Sequence, residues 1–283
     1  MIYKLRLLLD SIRFEHTLFA LPFAYLGMVL AAQGLPSLYQ FCWITIAMAS
    51  ARTLAMSCNR IIDREIDAKN PRTSQRHIPA GTISLFEMSS MAIVSLAVFL
   101  TAAYMLNELA FILAPVAAII VVGYSYTKRF TWLSHIVLGF ADGIAPAGGW
   151  IAVSGTFSWE PVLMALLVTT WIAGFDILYS CQDYDFDVDH KLHSIPQRFG
   201  IEAAFWWSRI LHLITSLLLL LLGVLFSLGL VYYIGWAVVS ALLVYEHRLV
   251  SPRDLTKLNM AFFNINSYIA VMVFASTLVA LYI

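Results

Sequence analysis

The stretch AAFWWSRILHLITSLLLLLLGVLFSLGLVYYIGWAVVSALLVY, Ala203 to Tyr245, is an almost unbroken apolar run. It is about twice the roughly 20 residues that one helix needs to cross a hydrocarbon core of about 30 Å. Ser227 and Gly229 punctuate it at a point where a turn fits, so it reads as two spans, residues 203 to 226 and 228 to 246. Seven further apolar runs lie near residues 15 to 33, 40 to 62, 86 to 106, 109 to 127, 132 to 153, 160 to 180 and 262 to 282. The expected fold class is all-α, a polytopic membrane protein with about nine transmembrane helices.

Composition agrees with that reading. Of 283 residues, 61% are hydrophobic and 12% charged, against about 25% charged in a soluble domain; the mean hydropathy is +0.81. The N-terminal MIYKLRLLLDSIRFEH is too charged, and its apolar run too short, for a cleaved signal peptide, so the first span is expected to stay in the mature chain. With 17 basic and 17 acidic residues there is no basic excess to suggest nucleic acid, and nothing marks an obligate protein partner. Cys42, Cys58 and Cys181 sit in apolar runs without metal-ligand spacing and read as small hydrophobes.

The basic residues alternate with the spans. Lys4, Arg6 and Arg13 precede the first span, Arg60, Arg64, Lys69, Arg72 and Arg76 follow the second, and Lys128 and Arg129 follow the fourth. Lys191 and Arg198 follow the sixth, and Arg248, Arg253 and Lys257 the eighth, whereas the loops around Gly34, Asn107, Gly155 and Ser227 carry none. Because short cytoplasmic loops are enriched in Lys and Arg, the N-terminus and the basic loops are expected in the cytoplasm and the C-terminus on the opposite side.

Two of the basic connections carry chemistry. In CNRIIDREIDAKNPRTSQRHIPAG, Cys58 to Gly81, the residues Asn59, Asp63 and Asp67 recur every four positions, one face of a helix. In DILYSCQDYDFDVDHKLHSIPQRFG, Asp176 to Gly200, Asp183 and Asp187 share that spacing, with Asp176 and Tyr179 extending the stripe backward; Asp185 and Asp189 form an interleaved pair on another face. Periodicity does not choose between the two pairs. Like charges four apart destabilise an isolated helix by a few tenths of a kcal/mol per pair, so two such arrays at helix ends imply a neutralising cation. Magnesium suits them: it takes hard oxygen ligands and is usually held by one or two carboxylates plus phosphate oxygens. Arg72, Arg76, Lys128, Arg129, Lys191 and Arg198 would then meet the phosphate oxygens that the metal leaves uncovered. A solvated, positive-inside loop explains the arginines but not two acidic arrays in helical register roughly 120 residues apart. Deeper in the spans, Arg52 lies two turns before Asn59, Asp176 two turns before Asp183, and Asp142 within GFADGIAPAGGW. Intramembrane charges of this kind line cavities or pair with one another.

In combination these residues resemble the UbiA superfamily of intramembrane aromatic prenyltransferases. The first motif matches N-x-x-x-D-x-x-x-D at Asn59, Asp63 and Asp67, followed by Arg72, Arg76, Pro79 and Gly81; the second matches D-x-x-Y-x-x-x-D-x-x-x-D at Asp176, Tyr179, Asp183 and Asp187. Between them GYSYTKRFTWLSH is similar to the family's Y-P-x-x-K-R-x-T segment at Tyr124, Lys128, Arg129 and Thr131. His77 and Ser125 stand where many members have proline. The resemblance covers nearly the whole chain and implies a single UbiA-like domain over residues 1 to 283, a helical bundle around a central cavity with cytoplasmic cap loops. It implies an enzyme that moves a prenyl chain from its diphosphate to an aromatic acceptor. By analogy Asn59, Asp63, Asp67, Asp183 and Asp187 hold Mg2+; Arg72, Lys128 and Arg129 bind diphosphate; Tyr124 and Asp176 lie near the allylic carbon, with Tyr179 beside them.

The segment RFEHTLFALPFAYLG, Arg13 to Gly27, is similar to the 4-hydroxybenzoate polyprenyltransferase subgroup and its relatives in menaquinone synthesis. Arg13 and Arg52 each offer a bidentate fork to an aromatic carboxylate. The expected partners are therefore a prenyl diphosphate, an aromatic acid and the lipid bilayer, the inner membrane if the source is bacterial. A transporter of an anionic solute is the alternative from another class; against it, the acids gather at one end of the spans instead of the midplane where such sites lie.

Overall fold

The computed structural model describes residues 2–13, 17–260 and 264–283. Apart from an isolated bridge between Ser251 and Asp254, the regular structure of the described residues is helical. The long helices are α2 (Thr17–Ala32), α3 (Leu38–Ile62), α5 (Leu85–Leu106), α6 (Glu108–Thr127), α7 (Ser134–Ser154), α8 (Trp159–Ser180), α11 (Ile201–Leu225), α12 (Leu230–Leu249) and α14 (Asn266–Ala280). Short helices join or flank them: α1 (Ile2–Ser11), α4 (Arg64–Lys69), α9 (Tyr184–Asp189), α10 (Ile195–Phe199) and α13 (Leu258–Met260).

Every apolar run read from the sequence coincides with one of these helices. By length and composition, seven of the described helices can each cross a membrane. The first and last of the long helices in sequence, α2 and α14, are shorter, and the expected spans 15 to 33 and 262 to 282 both begin in residues outside the described set. The protein is an integral, multi-pass membrane protein. The division of the run from Ala203 to Tyr245 has a backbone cause: α11 ends at Leu225, Ser227 turns through a left-handed φ of 52°, and Gly229 caps α12.

Glycines let α7 pack at backbone distance on two sides. A Cβ on Gly139 would lie 2.3 Å from the Thr169 carbonyl oxygen of α8, and one on Gly149 would lie 2.1 Å from the Ala24 oxygen of α2. Such small-residue contacts are how helices associate where lipid removes the hydrophobic drive. At the end away from the acidic motifs, Asn107 accepts from the Ala110 N–H to cap α6 and donates to the carbonyls of Ile151 and Ala152 on α7, at 2.9 and 3.1 Å. Ser37 and Ser84 begin α3 and α5 with reciprocal capping boxes. At the other end, residues 63–82 and 181–200 form two loops that close over the bundle, the cap.

Candidate active site

The bundle encloses a cavity of about 1550 Å³ that opens beneath the cap. Its walls are apolar, and Ala51, Ala55, Ala117, Ala145, Gly148 and Ala165 leave the volume by being small. Its rim carries both acidic motifs. Asn59, Asp63 and Asp67 line it from the first, Asp176, Tyr179, Asp183 and Asp187 from the second, and Arg72, Tyr124 and Lys128 complete it. Arg52 lines it lower down with Asp142, and Arg13 lines its mouth.

The first motif is not one continuous helix. Asp63 is both the C-cap of α3 and the N-cap of α4, yet its N–H still donates to the Asn59 carbonyl (2.9 Å) and its carbonyl accepts from the Asp67 N–H (2.8 Å). Helical register therefore survives the break, and the three side chains stay on one face. Asp63, 2% exposed, accepts through Oδ2 from Asn59 Nδ2 (2.9 Å) and Lys128 Nζ (2.7 Å). Its Oδ1 has no hydrogen-bond donor; Arg129 Nη1 stands 3.6 Å away. Arg76 Nη1 donates to both oxygens of the buried Asp67 at 2.8 Å.

In the second motif Arg72 donates from Nε to Asp183 Oδ1 (2.9 Å) and from Nη2 to Oδ2 (2.5 Å), while Asn70 Nδ2 donates to Oδ1 (2.9 Å). The Arg72 guanidinium also lies 5.3 Å from the centre of the Tyr179 ring. Burial works against the charge of Arg72, but its hydrogen bond and charge interaction with Asp183 outweigh this and hold it above the usual arginine value. Asp187 is buried and accepts from Ser194 Oγ at 2.8 Å. The ambiguity between the interleaved pairs is resolved: Asp183 and Asp187 face the cavity, whereas Asp185 and Asp189 are exposed and outside its lining.

Arg129, Lys191 and Arg198 stand elsewhere than the resemblance and spacing led one to expect, and Asn59 makes local hydrogen bonds. Arg129 is not part of the cavity wall; its Nη2 donates to the Ile62 carbonyl (2.7 Å), which ties the guanidinium behind Asp63. Lys191 and Arg198 are exposed and also outside the lining, because Lys191 sits in a left-handed turn (φ 54°) and Arg198 on the outer side of α10. Asn59 gives its carbonyl oxygen to Arg60 Nη1 (3.2 Å) and its amide to Asp63 and Ser125. Sequence reasoning passed over Asn70, Ser194 and His135. Of these, His135 carried a usable signal, an ionisable ring at the start of an apolar run.

Each acid thus has a local partner, Lys128 for Asp63, Arg76 for Asp67, Arg72 for Asp183 and Ser194 for Asp187, which offsets the cost of burying carboxylates. Among the described residues no three Asp, Glu, His or Cys side chains converge as a metal cage. The donor set still fits magnesium, which keeps several waters and relies on one or two carboxylates plus substrate phosphate. The buried Asp63 Oδ1, without a hydrogen-bond donor, is an oxygen available for it.

A polytopic helical bundle with acids and bases ringing an apolar cavity defines the class, a helical membrane protein with an internal, charge-rimmed cavity. The family model for UbiA prenyltransferases matches residues 20–268, and the chain belongs to this family; it is a prenyltransferase. It is 30% identical over 260 residues to the 4-hydroxybenzoate octaprenyltransferase of Vibrio cholerae, covering 90% of this chain and 89% of that one. The similarity to the enzyme of the same name from Pseudoalteromonas translucida is 30% over 254 residues, covering 90% and 86%. A UbiA homologue from Aeropyrum pernix K1, solved without ligand, superposes with a TM-score of 0.86 at 30% identity, covering 94% and 98%. One from Archaeoglobus fulgidus bound to GPP and Mg2+ gives 0.69 at 22%, covering 94% and 99%.

Proposed function

We propose that this enzyme transfers a polyprenyl chain from an allylic diphosphate to the ring of an aromatic acid, 4-hydroxybenzoate, and releases diphosphate, in quinone biosynthesis. The observation that carries the reading is the meeting of two acidic motifs and their cations at the rim of an apolar cavity inside the bundle. The relatives' names supply the acceptor. Asn59, Asp63, Asp67, Asp183 and Asp187 would hold Mg2+, which when bound neutralises the departing diphosphate. Arg72 and Lys128 give up their carboxylates to phosphate oxygens, with Arg129 supporting them from behind Asp63. Tyr124, Tyr179 and Asp176, in the cavity lining, would flank the allylic carbon as the electron-rich ring attacks it. The apolar walls keep water from an allylic cation. Arg52, deep in the cavity, pairs with the acceptor carboxylate, and Arg13 guards the mouth.

In this reading the cap and the N-terminus face the cytoplasm and the C-terminus lies across the membrane, the inner membrane in a bacterium; the enrichment of Lys and Arg in the alternate loops supports it. Purified protein supplied with a prenyl diphosphate, Mg2+ and 4-hydroxybenzoate should release pyrophosphate and a prenylated acid. Turnover only with a dihydroxynaphthoate would move the enzyme to the menaquinone branch, and absence of product with every acceptor would overturn the reading.

A further inference from the structure

His135, the second residue of α7, is 4% exposed and takes no part in the roles assigned above. Its two ring nitrogens face different elements. Nδ1 is 2.7 Å from Asp176 Oδ2 on α8, and Nε2 is 3.3 Å from the backbone nitrogen of Ile195 in the cap. An amide N–H only donates, so Nε2 accepts; the proton of the neutral ring therefore sits on Nδ1 and is donated to the carboxylate. The partners on either side select one tautomer.

The Ile195 contact has a local cause. Ile195 opens α10, so its N–H is one of those a helix start leaves without an intrahelical acceptor, and the residue is fully buried away from water. The imidazole supplies that acceptor. The neighbouring residues bind the same junction: Ser194 Oγ donates to Asp187 (2.8 Å), the His193 N–H donates to the Lys128 carbonyl (2.7 Å), and Ser134 Oγ donates to the His193 carbonyl (3.2 Å). One side chain thus touches the carboxylate in the cavity and the segment whose Ser194 hydroxyl holds the last acid of the second motif.

We propose that His135 is a positioning residue that fixes the orientation of Asp176 and, through Ile195, sets Asp187 in register over the cavity. It aligns the carboxylate beside the allylic carbon with the diphosphate side, and in this it rests on the prenyl-transfer reading above. Misplacement of about 1 Å costs on the order of 100-fold in rate without removing any group that touches substrate.

Three variants separate this from simple packing. His135→Ala removes both contacts, His135→Asn keeps a donor near Nδ1, and His135→Gln keeps an amide near Nε2. With His135→Ala, kcat should fall by about 10- to 100-fold while the KM for prenyl diphosphate stays within about threefold. The Asn variant, which keeps the Asp176 contact, should recover about tenfold of that loss, and the Gln variant should restore hydrogen-exchange protection at Ile195 together with part of kcat. Unchanged kcat in His135→Ala, or an Asn variant no better than Ala, overturns the proposal. Wild-type protein that prenylates no acceptor overturns the reaction and not the positioning. Exchange then decides: lost protection of Ile195 in His135→Ala supports the role, and intact protection ends it.

Discussion

Arg72, in the first cap loop, holds both oxygens of Asp183, in the second, through Nε at 2.9 Å and Nη2 at 2.5 Å. The fork matches the carboxylate edge to edge, a geometry that a lysine ammonium does not reproduce. In the proposed reaction the same carboxylate takes metal and the same guanidinium takes diphosphate, so substrate binding would exchange one partner for another. Arg72→Lys should therefore raise the KM for prenyl diphosphate by about tenfold or more, and Arg72→Ala further, with acceptor KM little changed. Steady-state titration of each substrate checks this; equal effects on both would place Arg72 outside the diphosphate site.

The second prediction turns on the two interleaved pairs. Asp187 is buried against Ser194, whereas Asp189 points outward. Asp187→Asn should lower turnover by about 100-fold or more, as removal of a preorganised electrostatic group does, and Asp189→Asn by less than about threefold. The opposite order would mean that the outward face meets the metal.

Chelation provides the third. EDTA should stop product formation and Mg2+ should restore it, because the carboxylates supply hard oxygen ligands. Asp63→Ala should lose about 100-fold or more in turnover while staying folded in detergent. Near-normal activity in that variant would remove the first motif from the mechanism.

Arg52 tests the acceptor. It lies deep in the cavity, within electrostatic range of Asp142. Arg52→Leu should weaken acceptor use by about tenfold and leave the donor KM near normal, the signature of lost acceptor binding. If the arginine serves Asp142 instead, the variant leaves a carboxylate without its cation, at a cost of about 3–5 kcal/mol, and thermal unfolding comes early with no selective change in acceptor KM.

Packing gives a fifth. Gly149→Ala drives a methyl into the Ala24 carbonyl, 2.1 Å away, so α2 and α7 must separate; overpacking of this kind costs about 1–3 kcal/mol. Gly148→Ala, with no atom within 4 Å of its Cβ position, should unfold at the wild-type temperature. Parallel thermal scans in detergent compare the two.

Much of this architecture was legible in the chain. Hydropathy located the helices because lipid demands long apolar runs, and Ser227 with Gly229 marked the α11–α12 turn that the backbone makes. Both motifs could be placed on helix faces from their spacing. What spacing could not decide was which face of α9 meets the cavity, since Asp183 with Asp187 and Asp185 with Asp189 have the same period and only tertiary packing separates them. It could not show that Arg129 lies behind Asp63, because adjacent Lys128 and Arg129 leave the helix end in different directions. Nor could it pair His135 with Asp176, 41 residues away on another helix.

The ion pairs of the cap also bear on how the protein is made. Lys128 is 65 residues from Asp63, and Asp183 is 111 residues from Arg72. A ribosome releases Asp63 before α5 and α6 exist and Arg72 before α8 exists, so both wait at the membrane surface without their native partners. Contacts this distant in sequence form late, after the loop entropy between them has been lost. The cap is thus completed only once α6 and then α8 have been inserted and residues 181–200 follow. A nascent chain halted between them would hold Asp63 closed on Lys128 while Arg72 still waited for its carboxylate.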